Sequence, residues 1–181
     1  MRLRSKIRRL DIQSRGSYIL DTALVELNMT EAIANHFFVR TDPKRPDLLS
    51  ILWNHDFSFR SKEIIYRAML IRCYPDLWKK YSSDINKLKG IAEYRNMLAH
   101  WGSIRPRFGA DMSKVDFVTL YHMGKPEKLR CITKQLHKAK LEELWHLCSI
   151  TETIAHEIER RHPTSRVRNM PPVQIGLPAP L

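Results

Sequence analysis

The residues best suited to chemistry lie in one short stretch, Glu93-Tyr94-Arg95-Asn96-Met97-Leu98-Ala99-His100-Trp101-Gly102. It joins an arginine, an amide directly after it, and a histidine five positions beyond the arginine. On a helix Asn96 and His100 are i and i+4, about 40° apart on one face. Arg95 is about 140° round from His100, and its long side chain spans part of that arc. Histidine acts as general acid or base near neutral pH. A guanidinium grips phosphate in a planar fork and offsets charge on phosphoryl oxygens. These are the parts for phosphodiester cleavage without a metal, the RNA 2′-OH serving as nucleophile. A histidine at a helix C-terminus also has a plainer use, as a cationic partner of the helix dipole. Spacing alone leaves both uses open.

The elements that must position this stretch are mostly helical. Ser14 to about Val39 carries Ile19, Leu20, Ala23, Leu24, Leu27, Ala32, Ile33 and Phe37 at near-helical spacing, and Thr41-Asp42-Pro43 with Pro46 ends it. Leu48–Trp53 is a short apolar segment of one or two helical turns. Ser58 is placed to cap a second helix, Phe59 to about Cys73, whose expected stripe is Ile64, Ile65, Ala68, Met69 and Ile71. Tyr74-Pro75 stops it, and Asp76 to Lys80 reads as a short turn of helix. Ser82 or Ser83 then caps a third long helix that ends near Trp101, with Ile85, Leu88, Ile91, Ala92, Leu98 and Ala99 inward and Gly102 at C′. Val115–His122 and Leu129–Thr133 are β-branched and aromatic runs around the turn signal Gly124-Lys125-Pro126, the pattern of a β-hairpin. The last helix spans about Gln135 to Arg161, with Leu141, Leu144, Leu147, Cys148, Ile150, Ile154 and Ile158 on one face. The expected fold is mainly α: an antiparallel four- to five-helix bundle over residues 14–161, with a β-hairpin insertion at about 115–133 before the last helix. A basic N-terminal arm (1–13) reads as flexible or as the frayed start of a helix. The Pro-rich tail (162–181) has too little apolar surface to order itself.

The chain of 181 residues is long enough for one domain with a sizeable core. Its formal net charge of +12 points to an anionic partner. Residues 1–20 hold six bases against one acid, and residues 160–181 hold four bases and no acid, so most of the excess is terminal. Arg2, Arg4, Lys6, Arg8 and Arg9 are therefore candidate RNA-binding residues, as is Trp101, which follows His100 in the chain and carries a ring that can stack on a base. Trp53, Trp78 and Trp145 fit core or interface roles. No apolar run approaches the ~20 residues of a membrane span, and no signal-peptide pattern follows the basic N-terminus. Cys73, Cys131 and Cys148 are widely spaced and form no C-x-x-C, as in a reduced cytoplasmic protein. The histidines outside the motif form no H-E-x-x-H or Cys/His cluster, so neither a metal nor a cofactor is expected. A helix-turn-helix with a basic recognition helix is not visible, which sets aside a duplex-DNA regulator.

Arg95-Asn96-Met97-Leu98-Ala99-His100 resembles the R-x4–6-H signature of HEPN domains, including the polar residue after the arginine. The helical order around it extends the likeness to about residues 14–161. The resemblance implies a four- to five-helix bundle that dimerises, and a metal-independent endoribonuclease of the toxin–antitoxin or phage-defence kind. It implies that Arg95 and His100 are catalytic with Asn96 in support, and that two copies of the motif face each other across a two-fold axis. RNA, a second copy of the chain and an antitoxin protein are the implied partners. The family also contains non-catalytic modules that bind RNA, nucleotide or a partner protein, the alternative reading. HEPN toxins paired with a nucleotidyltransferase antitoxin often carry Tyr two residues after the histidine. Gly102 stands there in this chain.

Overall fold

Inward residues of the first helix recur at Tyr18, Thr22, Val25, Met29 and Ala32, and those of the last at Leu144, Leu147, Thr151, Ile154 and Ile158, all buried. Both series step by three and four residues, the spacing that lets two helices share one long seam. In this computed structural model the described residues are 2–54, 56–104, 117–122 and 125–161; for 2–14, 102–104, 117–122, 125–131 and 134 only the backbone is described. The fold is mainly helical. In chain order it comprises α1 (Arg2–Phe37), α2 (Arg45–Trp53), α3 (Phe59–Cys73), α4 (Pro75–Ile85), α5 (Leu88–His100), β1 (Gly102–Ile104), β2 (Phe117–His122), β3 (Lys125–Thr133) and α6 (Lys134–Arg161).

The contacts between helices fix their directions. Asp21 meets Trp145, Asn28 meets Cys148 and Thr151, and Asn35 meets Ala155, so α1 and α6 run parallel. Glu26 pairs with Lys62 and His36 with Tyr74, so α3 also runs parallel to α1. By contrast Arg15 reaches Leu98 and Trp101 while Tyr18 packs on Tyr94, which makes α5 antiparallel to α1. The helices that pack on α1 therefore do not alternate in chain order: α3 and α6 run with it and α5 against it, unlike the expected antiparallel succession. The segment containing α2 carries the chain back before α3 begins, a return that a count of long helices does not anticipate.

The third long helix expected from the sequence is two helices. Ser82 and Ser83 lie inside α4, and the break falls at Asn86-Lys87. Arg67 of α3 stabilises that break: its guanidinium donates to the Asn86 side chain at 2.8 Å and to the Ile85 carbonyl at 3.2 Å. Pro75 opens α4 rather than merely stopping α3, since proline is tolerated in a first turn. Ser58 caps α3 by accepting from the Ser61 N–H at 3.1 Å. Thr133 does the same for α6, accepting from the Leu136 N–H at 3.0 Å.

Two expected apolar stripes are displaced. Leu20, Leu24 and Phe37 of α1 and Ile64 and Ile71 of α3 are exposed. In α3 the inward face instead carries Lys62 and Glu63, both buried, because Lys62 pairs with Glu26 while Glu63 pairs with Arg60 and Arg67. Buried charge is tolerated only when it is matched in this way, and a pattern of apolar letters cannot show the match.

The three strands form an antiparallel sheet in the order β1-β2-β3. Thr119 lies opposite Cys131 and Leu120 opposite Arg130, and the register shifts between Tyr121 and His122. β1 was not expected. Trp101 has extended backbone angles (φ −88°, ψ 136°), so the chain leaves α5 straight into a strand at Gly102, which pairs with Tyr121. The basic segment expected as an arm has helical backbone from Arg2, as the start of α1. The Pro-rich tail, 162–181, lies outside the described residues. Among the described residues no helix is long and apolar enough to cross a membrane.

Candidate functional site

The motif occupies the last two turns of α5. Leu98 and Met97 bury into the core, leaving Asn96 and His100 exposed and Arg95 half-buried. The end of the helix is held from α1: one guanidinium nitrogen of Arg15 donates to the Leu98 carbonyl at 3.0 Å and the Trp101 carbonyl at 2.9 Å. These are carbonyls that a helix terminus leaves without intrahelical partners, and a cation there also complements the dipole.

A cavity of about 530 Å³ opens along this end of α5. Gly90, Glu93, Tyr94, Met97 and Trp101 line it as one stripe, joined by Asn96 and His100. Lys140 of α6 completes the lining, and its ammonium is paired with Glu143 at 2.6 Å. Two of the three motif residues therefore share one cavity, together with Trp101. Arg95 is not part of the lining. Its guanidinium donates to the Asn96 side-chain oxygen at 3.0 Å, so it stands beside the cavity through Asn96. Among the described residues the His100 imidazole has no hydrogen-bond or ion-pair partner.

No family model, curated protein or solved structure matches this chain. What the site can do is accordingly read from its own chemistry.

Behind the cavity sits a buried aromatic group that sequence reasoning missed. The Tyr94 hydroxyl lies 3.1 Å from His137 Nδ1, and the Tyr18 ring packs edge-on against Tyr94 with centroids 4.8 Å apart. Burial pushes the Tyr94 phenol up to about 12 and pushes His137 below the ordinary histidine range. Both are therefore neutral at physiological pH. The Tyr18 hydroxyl and His137 Nε2 are buried with no hydrogen-bond partner among the described residues. Three elements build this group, α1, α5 and α6, and no local spacing links positions 18, 94 and 137. Lys140 was missed for the same reason.

The remaining candidates stand apart. The side chains of Arg2, Arg4, Lys6, Arg8 and Arg9 lie outside those described. Their backbone continues α1 past Arg15, the residue that touches the end of α5. At about 1.5 Å per residue, Arg9 is about 9 Å and Arg2 about 20 Å further along the axis. The basic stretch thus extends from the end of the molecule that bears the motif. Elsewhere His146 faces Asp84 and His156 faces Glu152 and Glu159. Among the described residues no cluster of three or more His, Cys, Asp or Glu side chains has the geometry to hold a metal.

Proposed function

We propose that this chain is a HEPN-type, metal-independent endoribonuclease of the toxin–antitoxin or phage-defence kind, acting in the cytoplasm as a homodimer. The observation that carries the reading is the placement of Asn96 and His100 on one wall of a solvent-open cavity, with Arg95 bonded to Asn96. In the proposed reaction His100 takes the 2′-OH proton as that oxygen attacks the adjacent phosphorus. The P–O5′ bond breaks, and the leaving oxygen takes a proton from the His100 of the second copy. Arg95 offsets charge on the non-bridging oxygens. The products are a 2′,3′-cyclic phosphate and a 5′-OH end. Apolar surface for a second copy is available at Leu20 and Leu24 of α1 and Trp145 of α6, all exposed. The Trp145 ring N–H donates to Asp21 at 3.0 Å, which sets that indole against α1.

Purified protein is expected to cut single-stranded RNA in EDTA. His100→Ala should slow cutting by about 10²–10⁴-fold, the usual contribution of a positioned acid or base. Equal cutting by wild type and His100→Ala sinks the mechanism. One observation favours a second reading, a non-catalytic module that binds RNA, nucleotide or a protein: the Arg95 guanidinium is turned to Asn96 rather than into the cavity. RNA binding without any cleavage by wild type selects that module.

A further inference from the structure

We infer that the outward face of α3 is a docking surface for an acidic amphipathic helix of a partner protein. The inference goes beyond the ribonuclease reading and stands without it.

Lys62, Glu63, Tyr66, Met69 and Leu70 form the buried side of α3. The opposite side carries Ile64, Ala68 and Ile71 at i, i+4 and i+7, an apolar ridge about 10 Å long. All three are exposed, Ile64 to 53% and Ile71 to 50%. This is the spacing by which one helix offers a seam to another.

Charge decides what can cover the ridge. Helical rotation sets Arg60 and Arg67 on one flank of it and Arg72 on the other. From Phe57 to Tyr74 the one carboxylate is that of Glu63, which is buried and answers Arg60 and Arg67 together. The Arg67 guanidinium is fully engaged within the fold, on Glu63, Asn86 and the Ile85 carbonyl. Arg60 gives one guanidinium nitrogen to Glu63, and its side chain is 60% exposed. Arg72 is exposed in the last turn, with no ion pair among the described residues. The ridge therefore has a cation on each flank and no exposed carboxylate. A second copy of the chain brings the same arginines with no acid to meet them, so the face is not self-complementary. RNA finds cations here but no aromatic ring on the ridge to stack on. A helix with an apolar seam and Glu or Asp beside it meets both features. It buries Ile64 and Ile71 and sets carboxylates opposite Arg60 and Arg72.

The face is clear of the other surfaces. Glu26, which meets α3, and Asn28, which meets α6, are about 160° apart round α1, so α3 and α6 lie on opposite flanks of it. Along α1, the α3 contacts at Glu26 and His36 are about 16 and 32 Å from Arg15, which marks the end of α5. A helix seated on α3 covers neither the cavity at His100 nor the apolar surface at Trp145.

The test uses the full chain and two designed helical peptides with the same leucine seam, one flanked by glutamate and the other by lysine. Backbone amide and methyl NMR signals of Ile64, Ala68 and Ile71 are expected to shift with the glutamate peptide. That peptide should bind at least about tenfold more tightly than the lysine one, the value of one charge-assisted contact. Arg72→Glu should narrow or reverse the preference. Ile71→Gln should weaken the glutamate peptide by about tenfold, and Ile71→Leu should restore it. Both sites are exposed, so the variants should melt close to wild type. Equal binding of the two peptides overturns the proposal, as does the absence of shifts on α3. An Ile71→Gln protein that melts like wild type and binds the glutamate peptide equally well overturns it too. Shifts at Ile64 and Ile71 that grow with protein concentration alone make the face an interface between copies instead. Shifts there with poly(U) that the glutamate peptide does not compete away make it an RNA surface, and either result overturns the proposal. Peptide binding is read without RNA, so it holds or fails whether or not the chain cuts RNA.

Discussion

Asn96 and His100 share a cavity because they lie four positions apart on a helix, and Arg95 stands outside it because it is one residue round. A different residue, His137, sets the most specific pH expectation. Burial lowers its pKa in the folded protein, so below its ordinary value of 6.5 the unfolded chain takes up a proton that the folded chain resists. Stability should therefore be full above about pH 7 and fall as pH drops through 6.5. The charged groups facing this cluster are Glu143, which acts on Tyr18 from α6, and Lys140 on the adjoining cavity wall. Asp76 and Glu157 make a separate contribution. Hydrogen bonds from Arg161 to Asp76, and from Arg160 and Arg161 to Glu157, hold both carboxylates at about 2, so their stabilisation is present at neutral pH and is lost only below the ordinary carboxylate range. Denaturant unfolding between pH 7 and 5 thus isolates the histidine effect. His137→Phe should flatten that slope, and a slope unchanged in the variant counts against the burial argument.

At the scale of elements, the end of α5 depends on a residue of α1. Arg15 donates to two terminal carbonyls of α5, at Leu98 and Trp101. Arg15→Met keeps the length of the side chain and removes both hydrogen bonds. It should cost about 1–3 kcal/mol by chemical denaturation. Because those bonds fix the turn carrying His100 and Trp101, exchange of the Leu98–Trp101 amides should also quicken relative to the rest of α5. Uniform exchange along α5 in the variant contradicts this role. The α4–α5 break is another inter-element device. Periodicity alone carries one helix through Asn86-Lys87, because neither residue is a strong helix breaker. What ends α4 is Arg67, nineteen positions before the Asn86 that it holds.

At the scale of the molecule, charge and fold are partly separate. Arg2 to Arg9 lie on the part of α1 that runs beyond the end of α5, and under the proposed function their part is capture of a polyanion rather than the chemistry. Replacing Arg2, Arg4, Lys6, Arg8 and Arg9 with Gln should leave the chemical step on bound RNA unchanged. It should flatten the salt dependence of RNA affinity, by about 0.7 in log–log slope for each phosphate contact removed. An unchanged slope places the RNA elsewhere on the surface.

Much of the local structure was legible without coordinates. β3 begins at Lys125, inside the Gly124-Lys125-Pro126 segment expected as a turn, whereas the bounds of α3 with its Ser58 cap and the inward face of α6 follow from side-chain periodicity and capping chemistry. So does the sharing of one face by Asn96 and His100. These are properties of neighbours in the chain, where a helix or strand fixes the geometry within a few residues. The direction of α6 along α1, the ion-paired face of α3, the entry into β1 at Gly102 and the Tyr18–Tyr94–His137 group behind the cavity were not legible. Each is made by partners far apart in sequence, and its energy comes from matching a buried polar group or filling a space that exists only after the helices pack. The sequence by itself determined which residues are equipped for chemistry. The tertiary structure decided that Lys140 stands beside them, and that Arg95 turns toward Asn96.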